Sequence, residues 1–304
     1  MRILVSGSTG FVGTALVESL VRQNHSVARL ARPGSSKSDG PAAQQSIPWD
    51  PVAGQFDAAA AEGFDALVHL AGASIADGRW NASRKQLLRT SRIDATRHLI
   101  SVLGKLQRPP RVIVAASAIG YYGSRGDEIL TEASAPGNDF LAELCREWEA
   151  ESARGAEFCA RVVHTRFGII LAAHGGALAK MALPFKLGAG GRLGDGRQRM
   201  SWVTLGDTVK IIEFALATPG LNGPVNVVAP NAVRNAEFTR VLAKTLHRPA
   251  LFPAPAFALR LALGEMADAL LLSSQRVTPS KLTAAGYVFR QPDLAGALAE
   301  VFRK

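Results

Sequence analysis

Short runs of apolar residues alternate with segments of helical periodicity along the first half of the chain. Successive apolar residues predict buried parallel strands, because helices cover such strands on both faces. Apolar positions at helical spacing predict helices between the strands. The alternation predicts an α/β fold with a doubly wound parallel sheet, whose ligand lies at the carboxyl ends of the strands. We expect strands at residues 3–5, 26–30, 47–50, 66–70, 112–116 and 161–165, and helices at 14–23, 83–103 and 139–152.

The turn between the first strand and the first helix is rich in glycine. Gly7, Gly10 and Gly13 have the spacing Gly-x-x-Gly-x-x-Gly. Glycine at these places permits a tight turn, close approach of the backbone to a pyrophosphate, and close packing of helix on strand. The free N–H groups and the positive dipole end of the helix then face the phosphates. The pattern favours a Rossmann-type dinucleotide site over a purely structural turn, with cofactor contacts from Gly7, Thr9, Gly10, Phe11, Val12 and Gly13.

The residue after the second strand bears on which dinucleotide is bound. An NAD-preferring site places Asp or Glu about twenty residues past the glycine turn, on the ribose 2′-hydroxyl. Arg32 lies there instead, followed by Ser35, Ser36 and Lys37. A guanidinium and hydroxyls would hold a 2′-phosphate, whereas a carboxylate would repel it. Arg32 therefore favours NADP(H) over NAD, the alternative being that it only begins a solvated loop.

Two further strand ends are candidates for cofactor contact. Trp49, at the end of the third strand, either flanks the adenine or packs at the edge of the sheet. After the fourth strand, small residues would let the cofactor lie against the backbone. We expect these contacts from Leu70, Ala71 and Gly72.

Basic residues near the helix expected at 83–103 are candidates for substrate binding. Lys85, Arg89 and Arg92 lie at positions i, i+4 and i+7 and share one helical face. That face either binds an anion or is simply solvated. Arg79, in the loop before the helix, joins Lys85 and Arg92 as a candidate anion contact.

The regular alternation stops near residue 169. Residues 187–200, LGAGGRLGDGRQRM, are a basic, glycine-rich loop that either closes over an anionic substrate or is a mobile connection. Strands are expected at 202–205 and 224–228, a helix at 207–216, and helical segments from Ala236 onward.

This change of pattern predicts two domains, as the length of 304 residues also allows. Residues 1–168 and about 205–230 would form a Rossmann-type dinucleotide-binding domain. Residues of about 169–204 and 231–304 would form a smaller α+β C-terminal domain on the substrate side.

Composition and charge limit the classes of partner. The net charge of +10 favours anionic partners, which include phosphorylated cofactors, nucleotide-linked substrates and nucleic acid. We do not expect nucleic acid, because the basic residues are spread along the chain without a helix-turn-helix, zinc-finger or RNA-binding signature. Charged residues interrupt the apolar stretch 257–272, so we expect no membrane span.

The two cysteines, Cys145 and Cys159, form neither a metal-binding nor a disulfide pattern. We interpret them as small buried side chains, which suits a reducing compartment. The first strand leaves no room for a targeting segment before it. We therefore expect a cytoplasmic monomer or homodimer that binds no metal and acts on a small-molecule substrate.

The motifs GSTGFVG, HLAG, SAIGYYG and RFG, in this order, resemble the extended short-chain dehydrogenase/reductases, the group of nucleotide-sugar epimerases and dehydratases. Further stretches are similar to one atypical branch of that family, which has a small C-terminal domain of its own. They cover nearly the whole chain. The resemblance implies the fold, NADP(H) binding and a cleft between two domains. These stretches are IADGRW, TSRIDATRHL, SAIGYYG, LCREWEAE, GRQRMSWV, GPVNVVAPN, LHRPALFPAP and PSKLTAAGYVF.

The resemblance also carries over some site residues. In the broad family a Ser or Thr follows the fifth strand, and a Tyr-x-x-x-Lys pair on the next helix moves the proton and holds the nicotinamide ribose. Ser117 matches the Ser position when counted back from Tyr121, whereas counting from Tyr122 gives Ala118. We also expect a cofactor contact from Arg166, in the RFG motif.

The Tyr and Lys of that pair are missing here. Leu141 and Cys145 stand in their places, and Arg92 stands at the position that usually carries Asn. A leucine cannot transfer a proton, and a neutral thiol cannot replace an ammonium. The candidates left for catalysis are Ser117, Tyr121 and Tyr122, since a phenol near cations has a lowered pKa and acts as an acid.

The alternative for both tyrosines is packing between the two domains. The sequence therefore supports two functions. One is an NADP(H)-dependent oxidoreductase or epimerase of unknown substrate, for which nucleotide-sugars follow from family analogy alone. The other is a protein that binds NADP(H) without turnover, as a sensor or scaffold.

Overall fold

A large, mostly parallel sheet lies at the centre of the protein, in a computed structural model that describes residues 1–33, 45–158 and 161–303. The strands in chain order are β1 (Arg2–Ser6), β2 (Ser26–Ala31), β3 (Gln45–Asp50), β4 (Gln55–Phe56), β5 (Ala66–His69), β6 (Val112–Ala118), β7 (Ile129–Leu130), β8 (Arg161–Phe167), β9 (Ile169–Leu171), β10 (Arg199–Met200), β11 (Trp202–Thr204), β12 (Gly223–Val227), β13 (Val233–Arg234) and β14 (Arg276–Val277). The helices are α1 (Phe11–Arg22), α2 (Ala82–Arg89), α3 (Ala95–Leu103), α4 (Phe140–Ala153), α5 (Gly176–Lys186), α6 (Leu205–Ala217), α7 (Asn235–Leu246), α8 (Ala256–Leu263), α9 (Ser280–Ala284) and α10 (Leu294–Val301). Turns of 3-10 helix cover Ala59–Ala61, Ile119–Tyr122 and Arg154–Glu157, and π turns cover Thr90–Asp94 and Ala267–Leu272.

The strand order in the main sheet is β12-β8-β6-β5-β1-β2-β3-β4. Neighbouring strands pair in parallel, except β3 with β4. The carboxyl ends of β1, β5, β6, β8 and β12 therefore meet at one edge of the sheet. This is the predicted doubly wound Rossmann-type sheet, and the α/β fold class is confirmed.

Apolar layers cover both faces of the sheet. On one face, α1 and α6 bury residues such as Leu16 and Ile212 against Ile3 and Val5. On the other face, α3 buries its apolar stripe against β5 and β6. Strands buried on both sides explain why the sequence shows continuous apolar runs rather than alternation.

The helix expected at 83–103 is interrupted by the π turn Thr90–Asp94. The Thr90 hydroxyl donates to the Gln86 carbonyl at 3.1 Å, and the Ser91 hydroxyl donates to the Leu88 carbonyl at 3.3 Å. Hydroxyls bonded back to the preceding turn bend helices. The extra residue of the turn changes the face on which Arg92 lies relative to Lys85 and Arg89.

A second, smaller core lies on the C-terminal side of the chain. Side chains of α5, α7 and α10 pack together there, including Phe185, Phe238 and Leu298. The short strands β9 and β11 pair in parallel beside this core, and β10 pairs with β13. The smaller C-terminal domain is therefore present, while its boundaries stay a prediction. Among the helices in the described ranges, none is long and apolar enough to cross a membrane.

A chain of buried polar groups joins β1, β5, α3 and α4. Ser6 Oγ lies 2.6 Å from His69 Nδ1, and His69 Nε2 lies 2.8 Å from Thr96 Oγ1. Trp148 Nε1 donates to the same Thr96 oxygen at 3.0 Å. Burial lowers the pKa of His69 from 6.5 to about 4. His69 is therefore neutral in the folded protein at ordinary pH.

This histidine makes the folded protein sensitive to acid. Between pH 6.5 and about 4 the unfolded chain holds a proton on His69 that the folded chain does not, so stability falls as the pH falls. We expect this group to remove about 2–3 kcal/mol of unfolding free energy between neutral pH and about pH 4.5. Urea unfolding at both pH values should show a smaller loss in His69→Gln than in the wild type. Equal losses in the two proteins would contradict the assignment.

Candidate cofactor and active site

The glycine turn after β1 is held by contacts that a side chain would break. Gly7 has a φ of +66°, and a Cβ there would lie 2.7 Å from the Leu70 carbonyl carbon and oxygen. A Cβ on Gly13 would lie 2.1 Å from the Gly7 carbonyl oxygen. The amide of Gly10 donates to that same oxygen at 3.0 Å. The turn therefore needs glycine at its first and third positions.

Helix α1 starts directly from this turn with its N-terminal amides uncovered. Its N-cap is Gly10, no side chain of the described residues caps it, and its first turn holds no acidic residue. Thr9 and Gly10 are exposed, while Phe11 and Val12 are half-buried. A bare positive helix end beside a side-chain-free turn fits the pyrophosphate of a dinucleotide.

The start of α5 lies over this turn. Gly175 and Gly176 face Phe11 so closely that a Cβ on either would lie 3.0 Å from its ring. Leu70 donates its amide to Ser6 Oγ at 3.2 Å, which keeps the end of β5 beside Gly7. The stretch expected to follow the cofactor, Leu70 to Gly72, is therefore adjacent to the glycine turn.

The residues expected at the adenosine end have different environments. Arg32 is exposed just after β2, and Ser35, Ser36 and Lys37 lie outside the described residues. Trp49 is 3% exposed and packs its ring edge-on to His69, with ring centroids 6.0 Å apart. Trp49 thus packs within the sheet layer, and its contact with adenine stays a prediction.

A buried polar cluster lies at the carboxyl ends of β6, β8 and β12. Arg166 donates from Nε and Nη2 to the two oxygens of Glu149, each at 2.8 Å. Ser117 Oγ donates to Glu149 at 2.6 Å. Arg166 Nη1 donates to the Tyr122 hydroxyl at 2.9 Å, and that hydroxyl donates to Asn226 Oδ1 at 2.6 Å. All five side chains are buried, so they form hydrogen bonds with one another rather than with water.

The two candidate tyrosines differ in burial and in the contacts that their side chains make. Tyr122 is completely buried, and burial raises the pKa of its phenol although Arg166 opposes the rise. Tyr121 is half-buried, and its ring centroid lies 3.5 Å from the Arg166 guanidinium carbon. Such a short distance places the ring in cation–π contact. The Tyr122 hydroxyl is thus fully used inside the protein, whereas Tyr121 lies against a cation with part of its surface accessible.

The positions of the missing Tyr and Lys lie beside the 3-10 turn that follows β6. A Cβ on Gly120 would lie 3.3 Å from Leu141 Cβ and 3.9 Å from Cys145 Sγ. Burial raises the pKa of the Cys145 thiol to about 12, with Glu149 adding to the rise and Arg92 opposing it. The thiol is therefore neutral, and α4 supplies no ammonium at this place.

Arg92 brings a half-buried positive charge to this region instead. Its Nη2 donates to the Ala73 carbonyl at 3.0 Å, and its guanidinium carbon lies 5.1 Å from the Trp148 ring. Its Nη1 is buried and has no hydrogen-bond partner among the described residues. Burial lowers the pKa of Arg92. A Cβ on Gly72 would lie 3.2 Å from the guanidinium carbon, so this unpartnered group lies next to the expected cofactor strand end.

Two of the other basic candidates, Lys85 and Arg89, are paired within the protein. Lys85 Nζ lies 2.6 Å from Glu265 Oε2, and Arg89 bonds Glu143 and Glu147 of α4. Arg79 lies against Gly264. The face that carries Lys85 and Arg89 therefore contacts neighbouring helices, and its role in binding an anion stays a prediction.

Sequence reasoning missed Glu149 and Asn226 as parts of the site. Glu149 lies within LCREWEAE, one of the stretches similar to the atypical branch, and that was the available signal for it. Asn226 likewise lies within GPVNVVAPN, another of these stretches, but its partner Tyr122 is distant in the chain, so no local pattern shows its role. Among the described residues no cluster of His, Cys, Asp and Glu is placed to hold a metal.

Comparison with known proteins agrees with this geometry. The family model of the NAD dependent epimerase/dehydratase family matches residues 3–228, and a domain of unknown function (DUF1731) matches residues 254–301. An epimerase family protein of Mycobacterium bovis is 40% identical over 296 residues, which are 97% of this chain and 96% of that protein.

Solved structures are also similar over nearly the whole chain. The human epimerase family protein SDR39U1, crystallised with NADPH, has a TM-score of 0.89 and 34% identity, covering 99% of both chains. A nucleoside-diphosphate sugar epimerase from Corynebacterium glutamicum has a TM-score of 0.79 and 34% identity, covering 98% of this chain and 57% of that chain. The chain therefore belongs to the NAD dependent epimerase/dehydratase family.

Proposed function

We propose that the chain binds NADP(H) at the glycine turn and is an enzyme that moves a hydride to or from a small-molecule substrate. The main support for the proposal is the close packing of Gly13 on the Gly7 carbonyl, next to the start of α1, which no side chain of the described residues caps. This arrangement leaves backbone amides free for a pyrophosphate. The human relative crystallised with NADPH supports the choice of cofactor.

The test is to purify the protein, denature it and identify any released small molecule by mass. We expect NADPH or NADP⁺. Fluorescence titration of the emptied protein with NADPH should then show saturable binding. A protein that neither releases nor rebinds a dinucleotide would overturn the proposal.

Arg32 should decide between the two dinucleotides. A charge-assisted bond to a 2′-phosphate contributes about 1.5–3 kcal/mol, so Arg32→Glu should weaken NADPH roughly 10- to 100-fold. NADH, which lacks that phosphate, should bind within about threefold of wild type. Arg108→Glu is the control, since Arg108 is exposed at the opposite edge of the sheet. A variant of Arg32 that loses both cofactors equally would show a general rather than a phosphate-specific effect.

The bound cofactor would supply the hydride chemistry, and the protein must manage the proton and the developing charge. We assign the transfer of the proton to Tyr121, because its phenol ring lies on the Arg166 guanidinium and part of the side chain is accessible. Cys145 stands where the family pattern has a lysine, so the ammonium charge of that lysine is missing. We assign the role of this positive charge to Arg92. Ser117 donates its hydroxyl proton to Glu149, so its oxygen is left with the capacity to accept a hydrogen bond.

The roles of the two tyrosines predict different effects of removing each hydroxyl. Tyr121→Phe should lower turnover with a carbonyl substrate by about 100-fold or more, as expected for loss of an acid catalyst, with stability unchanged. Tyr122→Phe should instead destabilise the fold by about 1–3 kcal/mol, because it leaves buried partners unbonded. Rates of NADPH oxidation and thermal unfolding measure the two effects. Unchanged turnover in Tyr121→Phe would remove this residue from the mechanism.

A second function is favoured by the neutral Cys145 and by Leu141. A protein without the usual proton donor and ammonium would bind NADP(H) and respond to its redox state without turnover. The absorbance of bound NADPH at ~340 nm separates the two functions. Its loss on addition of carbonyl compounds supports the enzyme, and its persistence across aldehydes, ketones and keto-sugars supports the sensor.

We also propose that the protein is a cytoplasmic monomer or homodimer and that its partner is a small molecule rather than nucleic acid or a membrane. Isomerase activity would follow if the hydride returned to the other face of an oxidised substrate.

A further inference from the structure

An apolar cavity of about 380 Å³ lies alongside α5. One wall consists of Met181, Pro184 and Phe185 of this helix. The facing wall consists of Leu259 and Leu263 of α8 and of the π turn that follows it. Helix α5 begins against Phe11 of the glycine turn, and a rise of about 1.5 Å per residue puts Met181 about 8 Å along the helix from there. The cavity is therefore a neighbour of the proposed cofactor site.

The cavity lining offers no free charge to an anion. Among the described residues that line it, none is Asp, Glu or Arg, and Lys180 is the charged member. Lys180 Nζ donates to the Ala76 carbonyl and to the Asp77 carboxylate, each at 3.0 Å. Asn235 accepts from the Leu193 amide at 2.8 Å and donates to Met200 Sδ at 3.3 Å. An anion placed here would lose its hydration without gaining a partner, which is strongly unfavourable.

Helix α8 is apolar on the cavity side and on the solvent side. Leu259 and Leu263, one turn apart, line the cavity. Phe257 and Leu261 are 73% and 78% exposed, and none of the side chains of α8 is buried. An apolar ligand in the cavity would cover the inner face of this helix and remove that surface from water. A ligand without polar groups on the side that faces α8 therefore gives the most favourable free energy of binding.

We propose that this cavity holds the apolar part of the substrate, a small uncharged aldehyde, ketone or alcohol whose reacting end reaches out of the cavity toward the cofactor. The inference rests on the proposed function. A volume of about 380 Å³ lies at the lower end of the range of about 300–1,000 Å³ for small-molecule pockets. The diphosphate of a nucleoside diphosphate sugar would meet no free cation in this lining, because Lys180 is paired with Asp77. The substrate class thus differs from the one that the resemblance to nucleotide-sugar epimerases implies.

Isothermal titration calorimetry of the NADPH-saturated protein tests the ligand class. Octanone, a medium-chain methyl ketone, should bind saturably, and UDP-glucose at the same concentration should not. Binding of UDP-glucose, or no binding of octanone up to millimolar concentration, would overturn the inference.

Two variants of α8 test the location. Leu259→Glu puts a carboxylate into the cavity and should weaken octanone by about tenfold or more. Leu261→Glu, on the solvent side of the same helix, should leave octanone affinity within about twofold. Equal weakening by both variants would overturn the site. NADPH titration of the unmodified protein separates the two hypotheses. If NADPH does not bind, the proposed function is contradicted. If NADPH binds but octanone does not, only this inference is contradicted.

Discussion

A Gly13→Ala variant is expected to lose NADPH affinity by about 100-fold or more, equivalent to roughly 3 kcal/mol of binding free energy. The added Cβ would lie 2.1 Å from the Gly7 carbonyl oxygen and 2.8 Å from Ser8 Cα. Both are backbone atoms, so no side chain can turn away to make room. The glycine turn must separate from α1, and the amides that we assign to the pyrophosphate then move out of place.

Two variants keep this prediction testable if Gly13→Ala unfolds. Gly10→Ala places a Cβ 3.1 Å from the same oxygen, at an exposed N-cap, and should cost about tenfold in affinity while leaving the fold intact. Gly206→Ala is the matched control, since its Cβ in the first turn of α6 meets only Thr204 Oγ1 at 3.9 Å. It should bind NADPH normally and unfold at the same or a slightly higher temperature. Normal NADPH binding by Gly10→Ala and Gly13→Ala together would show that the turn does not hold the phosphates.

The parts of the fold that the sequence predicts well are those that depend on neighbours in the chain. Apolar runs such as Ile3 to Val5 mark strands covered on both faces, and glycine spacing marks the turn that follows. Both signals report short-range requirements of backbone and burial. The general rules of connected parallel sheets limit the possible strand orders without selecting one. The sheet and its glycine turn are therefore predictable from the amino-acid sequence alone.

The chemistry of the site is less predictable, because its contacts join residues far apart in the chain. Helical spacing groups Arg92 with Lys85 and Arg89, but the π turn and the packing of α4 leave Arg92 half-buried and, among the described residues, without a carboxylate partner. Trp49 has the same sequence context whether it flanks a ligand or packs on His69. Only the arrangement of α3, α4 and β5 separates these alternatives. Pattern reasoning finds the elements, whereas the partners of a charged or aromatic side chain are a tertiary property.

Replacing Arg166 with methionine is expected to lower the unfolding free energy by about 3–5 kcal/mol. Arg166 is 3% exposed and supplies both hydrogen-bonded contacts that balance the charge of Glu149. Without it, the buried carboxylate keeps one donor among the described residues, the Ser117 hydroxyl, and the Tyr122 hydroxyl loses a donor. Removing one partner of a buried pair costs more than the pair contributes, because the remaining charge stays out of water. Chemical denaturation measures the loss directly.

The double variant Arg166→Met with Glu149→Gln separates this cause from a loss of packing. It removes both charges, so it should recover a large part of the stability that Arg166→Met alone loses. Arg108→Met is the control at the surface, where the side chain is 77% exposed and its Nε lies 3.7 Å from Glu62 Oε1. That pair should contribute less than about 1 kcal/mol. A double variant as unstable as the sum of its single variants would show that Arg166 stabilises the site through its contacts with Tyr121 and Tyr122 rather than through its charge.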